Sequence, residues 1–86
     1  MRVALPSPLI EYTQGQRDVE ADGETLDALL TNLDRRYPGI RFRMIDEQGR
    51  IRAHIKLFVD KAIQRDLSYS LANKQVVDIV AALSGG

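Results

Sequence analysis

The stretch that decides the fold stands at the end of the chain and reads Val77-Asp78-Ile79-Val80-Ala81-Ala82-Leu83-Ser84-Gly85-Gly86. Val77 and Ile79 flank Asp78, which is the alternation of a half-buried strand. The small residues that follow have no period, and the two final glycines lack a Cβ that would obstruct entry into a narrow channel. The sequence therefore predicts a last strand over 75–80 with Val77 and Ile79 facing a core. We expect a domain over residues 1–80 and a flexible tail over residues 81–86.

The clearest element upstream is a helix over residues 25–37. Thr25 is a favourable N-cap residue, and Pro38-Gly39 ends the pattern. Between them the apolar residues recur at helical spacing, namely Leu26, Leu29, Leu30, Leu33 and Tyr37.

Short strands are predicted on both sides of this helix. Residues 2–5 and 16–20 form the first pair, and alternation over 40–44 and 51–59 predicts two more strands around a turn at 46–49. In the run 51–59 the predicted inward set is Ile51, Ala53, Ile55, Leu57 and Val59, and the outward set is Arg52, His54, Lys56 and Phe58. Leu67 and Leu71 suggest one short helical turn. The order β-β-α-β-β indicates an α+β domain, in which a mixed sheet of four to five strands packs on one main helix.

Composition excludes several functional classes. A chain of 86 residues is expected to form one domain. The chain has no cysteine, which removes disulfides and thiolate chemistry and favours a reducing cytoplasm. Twelve basic and 12 acidic residues balance, which argues against a nucleic-acid partner. No apolar run approaches the roughly 20 residues of a membrane span, so no membrane association is expected.

A candidate docking surface lies on the predicted outward face of the run 51–59. Phe58 would stand there with His54 and Lys56, and Val80 would lie on or near the same face. Exposed aromatic and aliphatic groups of this kind mark protein interaction sites. The alternative is a register shifted by one residue, which would place Phe58 in the core.

Charged residues and the lone histidine offer weaker candidates. Arg41, Arg43, Arg50 and Arg52 fit the solvent side of two strands better than a phosphate site. The acidic run Asp18, Glu20, Asp22, Glu24 and Asp27 is likewise expected to be solvated rather than to bind metal. His54 has no second histidine or cysteine near it in the sequence, so we expect neither a catalytic residue nor a metal site.

Three segments together resemble one protein family: Gly23-Glu24-Thr25-Leu26, Tyr37-Pro38-Gly39 and the last stretch, 77–86. They are similar to the β-grasp sulfur carriers, which share the ubiquitin fold and include the small subunit of molybdopterin synthase and the thiazole-synthesis carrier. The Arg-rich stretch 41–52 and the turn Thr13-Gln14-Gly15-Gln16 resemble most the carrier for cysteine synthesis. Ala81 stands where many members have proline, and Asp60 stands where many have asparagine.

The resemblance implies a function for the tail. The carboxylate of Gly86 would be adenylated by a ubiquitin-activating-type enzyme that uses ATP and magnesium. It would then become a thiocarboxylate that donates sulfur to an acceptor enzyme. Leu83, Ser84 and Gly85 would complete the tail, and the chain itself would bind no cofactor and catalyse nothing. A six-residue tail reaches up to ~20 Å when extended, and its carboxyl is ionised at neutral pH.

Two other functions remain open on the sequence. The same activated terminus could be joined to lysines of target proteins, as in a ubiquitin-like modifier. The domain could also be a plain interaction module. The acceptor of sulfur is equally open among precursors of molybdopterin, thiazole, cysteine or a siderophore, and tRNA.

Overall fold

The computed structural model of the protein describes residues 1–82. It contains a 3₁₀ helix at Ser7–Thr13 and two α-helices, α1 at Leu26–Arg36 and α2 at Ile40–Met44. The strands are β1 (Arg2–Ala4), β2 (Asp18–Glu20), β3 (Ile55–Val59), β4 (Ala62–Ile63) and β5 (Val76–Ala81).

The strands form one five-stranded mixed sheet in the order β2-β1-β5-β3-β4. The last strand, β5, lies at its centre, parallel to β1 and antiparallel to β3. Val77 and Ile79 of β5 are buried, so the predicted strand and its inward face are confirmed. The strand runs to Ala81, one residue past the predicted end of the domain.

Helix α1 covers one face of this sheet. Its four leucines at helical spacing, Leu26, Leu29, Leu30 and Leu33, are fully buried. The hydroxyl of Thr25 accepts a hydrogen bond from the amide of Ala28 at 3.1 Å, which satisfies one of the free amides at the helix start. The predicted helix and cap are confirmed. The core lies between α1 and the inward residues of the strands, and the α+β architecture with one main helix is confirmed.

Residues 40–44, predicted as a strand, instead form α2. Ile40 and Met44 are fully buried, whereas Phe42 is 57% exposed. On a strand Phe42 would share the face of Ile40 and Met44, whereas on a helix residues four apart share a face without the residue between them. The carboxylate of Asp34 accepts from the amides of Gly39 (3.1 Å) and Arg41 (3.0 Å), which anchors the start of α2 to α1.

The strand predicted over 51–59 begins only at Ile55. The amide of Arg52 donates to the carbonyl of Met44 at 2.9 Å, and that of Ile55 donates to the carbonyl of Arg52 at 2.9 Å, so the chain turns before β3. The predicted inward set is therefore correct for the β3 residues and wrong for Ala53, which is exposed. Ile51 forms an isolated bridge with Ile45.

Two loops also differ from the sequence-based expectation. The predicted second strand begins at Asp18 rather than at Gln16, because the Thr13 hydroxyl holds the preceding turn by donating to the carbonyl of Gln16 at 2.6 Å. No helical turn joins Leu67 and Leu71. Instead the carbonyl of Leu67 accepts from the amide of Asp27 at 2.9 Å, which supports the start of α1.

Within residues 1–82 no helix combines the length and the apolar character required to cross a bilayer.

Candidate functional site

The end of β5 is held against the start of β3. Ala81 pairs with Ile55 across the two strands. One residue further, the amide of Ala82 donates to the carbonyl of His54 at 2.7 Å. The central strand thus leads the chain out of the sheet at a defined point beside His54. Gly86, predicted to be modified, and Gly85, Ser84 and Leu83 of the predicted tail lie outside the described residues.

Three of the four predicted docking residues, Lys56, Phe58 and Val80, lie together on the sheet face opposite α1. Lys56 pairs directly with Val80, and Phe58 pairs with Asp78. Directly paired residues of an antiparallel ladder project from the same face, and Phe58 is outside the buried core. The predicted outward register of Phe58 is therefore confirmed. His54 is exposed in the turn before β3, and the docking role of these residues stays a prediction.

Ile63 belongs to the same surface but was missed from the sequence. It pairs with Phe58 from β4 and is 41% exposed, close to the 43% of Val80. The two residues between β3 and β4, Asp60 and Lys61, have φ of 46° and 73°. Such a hairpin turn is usually recognised in a sequence by Asn-Gly or Asp-Gly. This turn contains no glycine, so the hairpin of β3 and β4 could not be predicted from it. We call the surface formed by Lys56, Phe58, Ile63, Asp78 and Val80 the outer face.

Charged groups border the apolar part of the outer face. Lys56 and Asp78 lie on the face itself. On the neighbouring strand the guanidinium of Arg2 contacts the carboxylate of Asp18 at 2.8 Å, and this contact raises the pKa of Arg2. An apolar patch with a polar rim is the common arrangement of a protein interface.

Asp60 fixes the register that assembles the outer face. Its carboxylate accepts from the amides of Gln75 and Val76, each at 3.0 Å. Its own amide donates to the carbonyl of Val76 at 2.9 Å. The two amides that donate to the carboxylate hold the pKa of Asp60 below its usual range. Asp60 therefore joins the end of β3 to the start of β5.

Replacing Asp60 is expected to lower thermal stability in a pH-dependent way. A carboxyl with a lowered folded pKa stabilises the fold above its unfolded pKa of about 4, and this contribution is lost as the pH falls through the folded value. Asp60→Ala removes the acceptor and should lower Tm by several degrees at neutral pH. Asp60→Asn keeps an acceptor oxygen and should lower Tm less.

The measurement is Tm by circular dichroism between neutral and strongly acidic pH. Asp46 and Asp66, whose pKa values are also lowered, titrate equally in all three proteins. Both variants should therefore lose less stability on acidification than the parent. Acid profiles of the same steepness in the parent and in Asp60→Asn would contradict the role of Asp60.

The basic residues predicted to line two strands are dispersed by α2. Arg41 forms an ion pair with Asp27. Arg43 donates to the Tyr12 hydroxyl at 2.6 Å, and Arg52 donates to the carbonyl of Phe42 at 2.8 Å. The acidic residues do not gather either, because residues 1–82 contain no group of three or more His, Asp or Glu side chains able to hold a metal.

Comparison with known proteins places the geometry in context. A model described as the ThiS family matches residues 3–86. The sulfur carrier protein CysO of Mycobacterium tuberculosis is 32% identical over 98% of this chain and 96% of its own length. The crystal structure of that organism's CysO superposes with a TM-score of 0.88 at 30% identity, covering 95% of this chain and 98% of that chain.

Two further structures share the architecture. The structure of the BexX/CysO complex of Amycolatopsis orientalis matches with a TM-score of 0.88 and 25% identity, over 99% of this chain and 98% of that chain. SAMP1 of Haloferax volcanii matches with a TM-score of 0.78 and 25% identity, over 100% of this chain and 98% of that chain.

Proposed function

Because the chain belongs to the ThiS family and is a ubiquitin-like sulfur carrier, we propose that it carries sulfur as a thiocarboxylate on Gly86. The observation that carries this proposal is the family match, which extends through residue 86 and so includes both terminal glycines. The central position of β5 supports it, because the strand that precedes the tail is paired on both sides.

The proposed chemistry has two steps. The Gly86 carboxylate attacks the α-phosphate of ATP, the bond to pyrophosphate breaks, and an acyl adenylate forms. Hydrosulfide then attacks the acyl carbon and AMP leaves, so one oxygen of the carboxylate is replaced by sulfur. Activation is needed because a carboxylate is a poor electrophile. In this scheme the carrier is a co-substrate, and ATP and magnesium are used by the partner enzyme.

We propose that the adenylating enzyme docks on the outer face, which adjoins the tail exit. Lys56 lies opposite Val80, two positions before Ala82 leaves the sheet beside His54. The tail leaves the sheet at the border of this face, so an enzyme bound there would lie next to the start of the tail. The half-buried ring of Phe58 and the side chain of Val80 supply the apolar contact, and aromatic anchors of this kind dominate interface energetics.

Phe58→Ala is expected to raise the KM for the carrier in the adenylation reaction by about tenfold, as for a well-packed aromatic anchor. The fold should persist, because Phe58 is outside the core. Tyr37→Ala is the matched control, since Tyr37 is a half-buried aromatic residue at the end of α1, which covers the opposite side of the sheet. Equal effects of the two substitutions would rule out a specific role for Phe58.

The proposed function is tested by incubating the chain with an adenylating enzyme, ATP, magnesium and sulfide, followed by mass spectrometry. The carrier should gain the mass difference between sulfur and oxygen on its C-terminal peptide. Conjugates to lysines in a cell lysate would favour a protein modifier, the alternative that the sequence left open and that the likeness to the small archaeal modifier protein SAMP1 supports. A chain that does neither would be a plain interaction module.

The sulfur acceptor is proposed to be a partner enzyme, and the likeness to CysO in the BexX complex supports a protein partner for this step. Among the acceptors left open by the sequence, we favour a cysteine precursor, because of the likeness to CysO. We place the reaction in the cytoplasm, where ATP and reduced sulfur are both supplied.

A further inference from the structure

A groove lies along the edge of the sheet beside β3, on the side away from β5. It has a volume of about 420 Å³ and is lined by the loop 49–53, by β3 and by the segment 63–67. We call it the side groove. β4 pairs with β3 only at Phe58 and Val59, with one more hydrogen bond from the Gln64 amide to the Leu57 carbonyl at 2.8 Å. The first part of β3, at Ile55, therefore has no strand paired with it on this side.

The floor of the side groove is aliphatic. Ile55 and Leu57 close its base from β3 but are almost fully buried. The accessible aliphatic surface comes from Ile51 and Leu67, both half-buried, and from Ile63, which is exposed. A concave apolar surface of this kind is filled most favourably by aliphatic side chains of a ligand. A small inorganic anion would leave this floor uncovered.

The rim of the side groove is strongly basic. Arg50, Arg52, Lys56 and Arg65 line it, against the single carboxylate of Asp66. That carboxylate accepts from the amide and hydroxyl of Ser68, at 2.9 and 2.6 Å, so it is engaged within its own loop. None of the four basic side chains forms a salt bridge within residues 1–82. Arg52 is bound to the carbonyl of Phe42 at 2.8 Å and Lys56 to the carbonyl of Ala53 at 3.4 Å, so the positive charge available to a ligand comes mainly from Arg50 and Arg65. The chain as a whole is neutral, so this positive charge is a local excess.

We infer that the side groove is a second docking surface, which binds an extended segment of a partner protein that carries aliphatic side chains flanked by carboxylates. The aliphatic groups fit the floor, and the carboxylates complement the rim. A nucleic acid fits less well, because its bases stack on aromatic side chains and the floor is aliphatic. The side groove and the outer face share only Lys56 and Ile63.

The side groove lies close enough to the tail exit for a partner bound in it to take part in sulfur transfer. This interpretation rests on the proposed function. Ile55 lies between the side groove and Ala81, the last residue of β5. A partner bound there is thus one strand away from the tail exit. It could hold the carrier while most of the outer face stays accessible to another enzyme.

The test is an NMR titration of the ¹⁵N-labelled chain with the blocked peptide Glu-Glu-Ile-Val-Ile-Glu-Glu. The amides of Ile55, Leu57, Gln64 and Arg65 should shift in a saturable way. The double variant Arg50→Glu with Arg65→Glu should weaken binding by about tenfold or more, since each reversal turns an attraction into a repulsion. The matched control is Arg17→Glu with Arg35→Glu, which makes the same charge change outside the side groove and should leave the affinity unchanged.

Three results would overturn the inference: no saturable shifts, shifts confined to other surfaces, or equal binding by a peptide in which lysine replaces glutamate. If a single-stranded oligonucleotide binds at the same amides more strongly than the peptide, the inferred protein ligand is wrong and the side groove binds nucleic acid. The mass gain at Gly86 is measured separately, without the peptide. If the carrier gains sulfur but does not bind the peptide, only the inference about the side groove is overturned. If it binds the peptide but gains no sulfur, only the proposed function is overturned.

Discussion

Deleting Gly86 is expected to abolish thiocarboxylate formation completely. The deletion moves the terminal carboxylate back to Gly85, about 3.5 Å short of its position in the parent, so the shortened chain should show no mass gain after incubation with the adenylating enzyme, ATP and sulfide. Extending the chain by one alanine after Gly86 should have the same effect. In that variant every native residue is kept, but the terminal carboxylate is displaced and carries a Cβ beside it.

Both variants should keep the Tm of the parent, because β5 and the core end before residue 83. This control separates a defect in chemistry from a defect in folding. A mass gain that persists in the shortened chain would show that the activated carboxylate need not stand at position 86. Fragmentation of the loaded parent protein identifies directly the residue that carries the sulfur.

Among the glycines within residues 1–82, Gly23 is expected to be the one whose replacement by alanine is most destabilising. A Cβ at position 23 would overlap the amide nitrogen of Leu29 and lie 2.6 Å from the Cα of the same residue, inside the first turns of α1. These are backbone atoms, so the helix itself must move away from the chain at Gly23. Overpacking of this kind costs typically 1–3 kcal/mol, and we expect the upper end of the range, about 3 kcal/mol, because no flexible side chain can yield.

Urea unfolding of Gly23→Ala measures this cost, with Gly15→Ala as the control. A methyl group on Gly15 would meet no atom within 4 Å, but the φ of Gly15 is +86°. An alanine there should cost only the strain of a left-handed conformation, about 1–2 kcal/mol. A smaller loss of stability in Gly23→Ala than in Gly15→Ala would contradict the close approach of Gly23 to α1.

The same contact explains why one family motif was informative. Gly23-Glu24-Thr25-Leu26 combines the close approach of Gly23 with the cap formed by Thr25 and the buried Leu26. These three features depend on residues close together in the sequence, so the motif alone was enough to indicate them. The resemblance based on this motif and on the tail is confirmed by the family match over residues 3–86, and the β-grasp fold is confirmed by the CysO and SAMP1 structures.

The failures of sequence-based prediction arose where a tertiary contact decided between two patterns. Ile40, Phe42 and Met44 alternate as in a strand, but residues 40 and 44 also share one face of a helix. The carboxylate of Asp34 selects the helix by binding the amides of Gly39 and Arg41. Phe42 is left exposed beneath the guanidinium of Arg52, whose centre lies 4.6 Å from the ring centroid.

The candidate site was predicted in part. Alternation along β3 correctly placed Lys56 and Phe58 on the face opposite the helix, because the period of a strand is local information. Ile63 and the side groove were not predicted, because they depend on a hairpin whose turn lacks glycine and on a loop that folds back beside β3. Residues 83–86, on which the proposed chemistry depends, were proposed from the sequence alone, and their role stays a prediction.

The pairing of β1 with β5 has a consequence for how the carrier is made in the cell. Arg2 pairs with Val76. The strand β1 is therefore translated first but cannot pair with β5 until nearly the whole chain has been made. Contacts of such large sequence separation slow folding, because the entropy of closing the intervening chain must be lost before they form. A nascent chain still lacking β5 has no central strand, and a prematurely terminated one lacks both that strand and the glycines beyond it. If the outer face and the tail are used as proposed, we expect unfinished chains not to compete with the complete carrier for its enzymes.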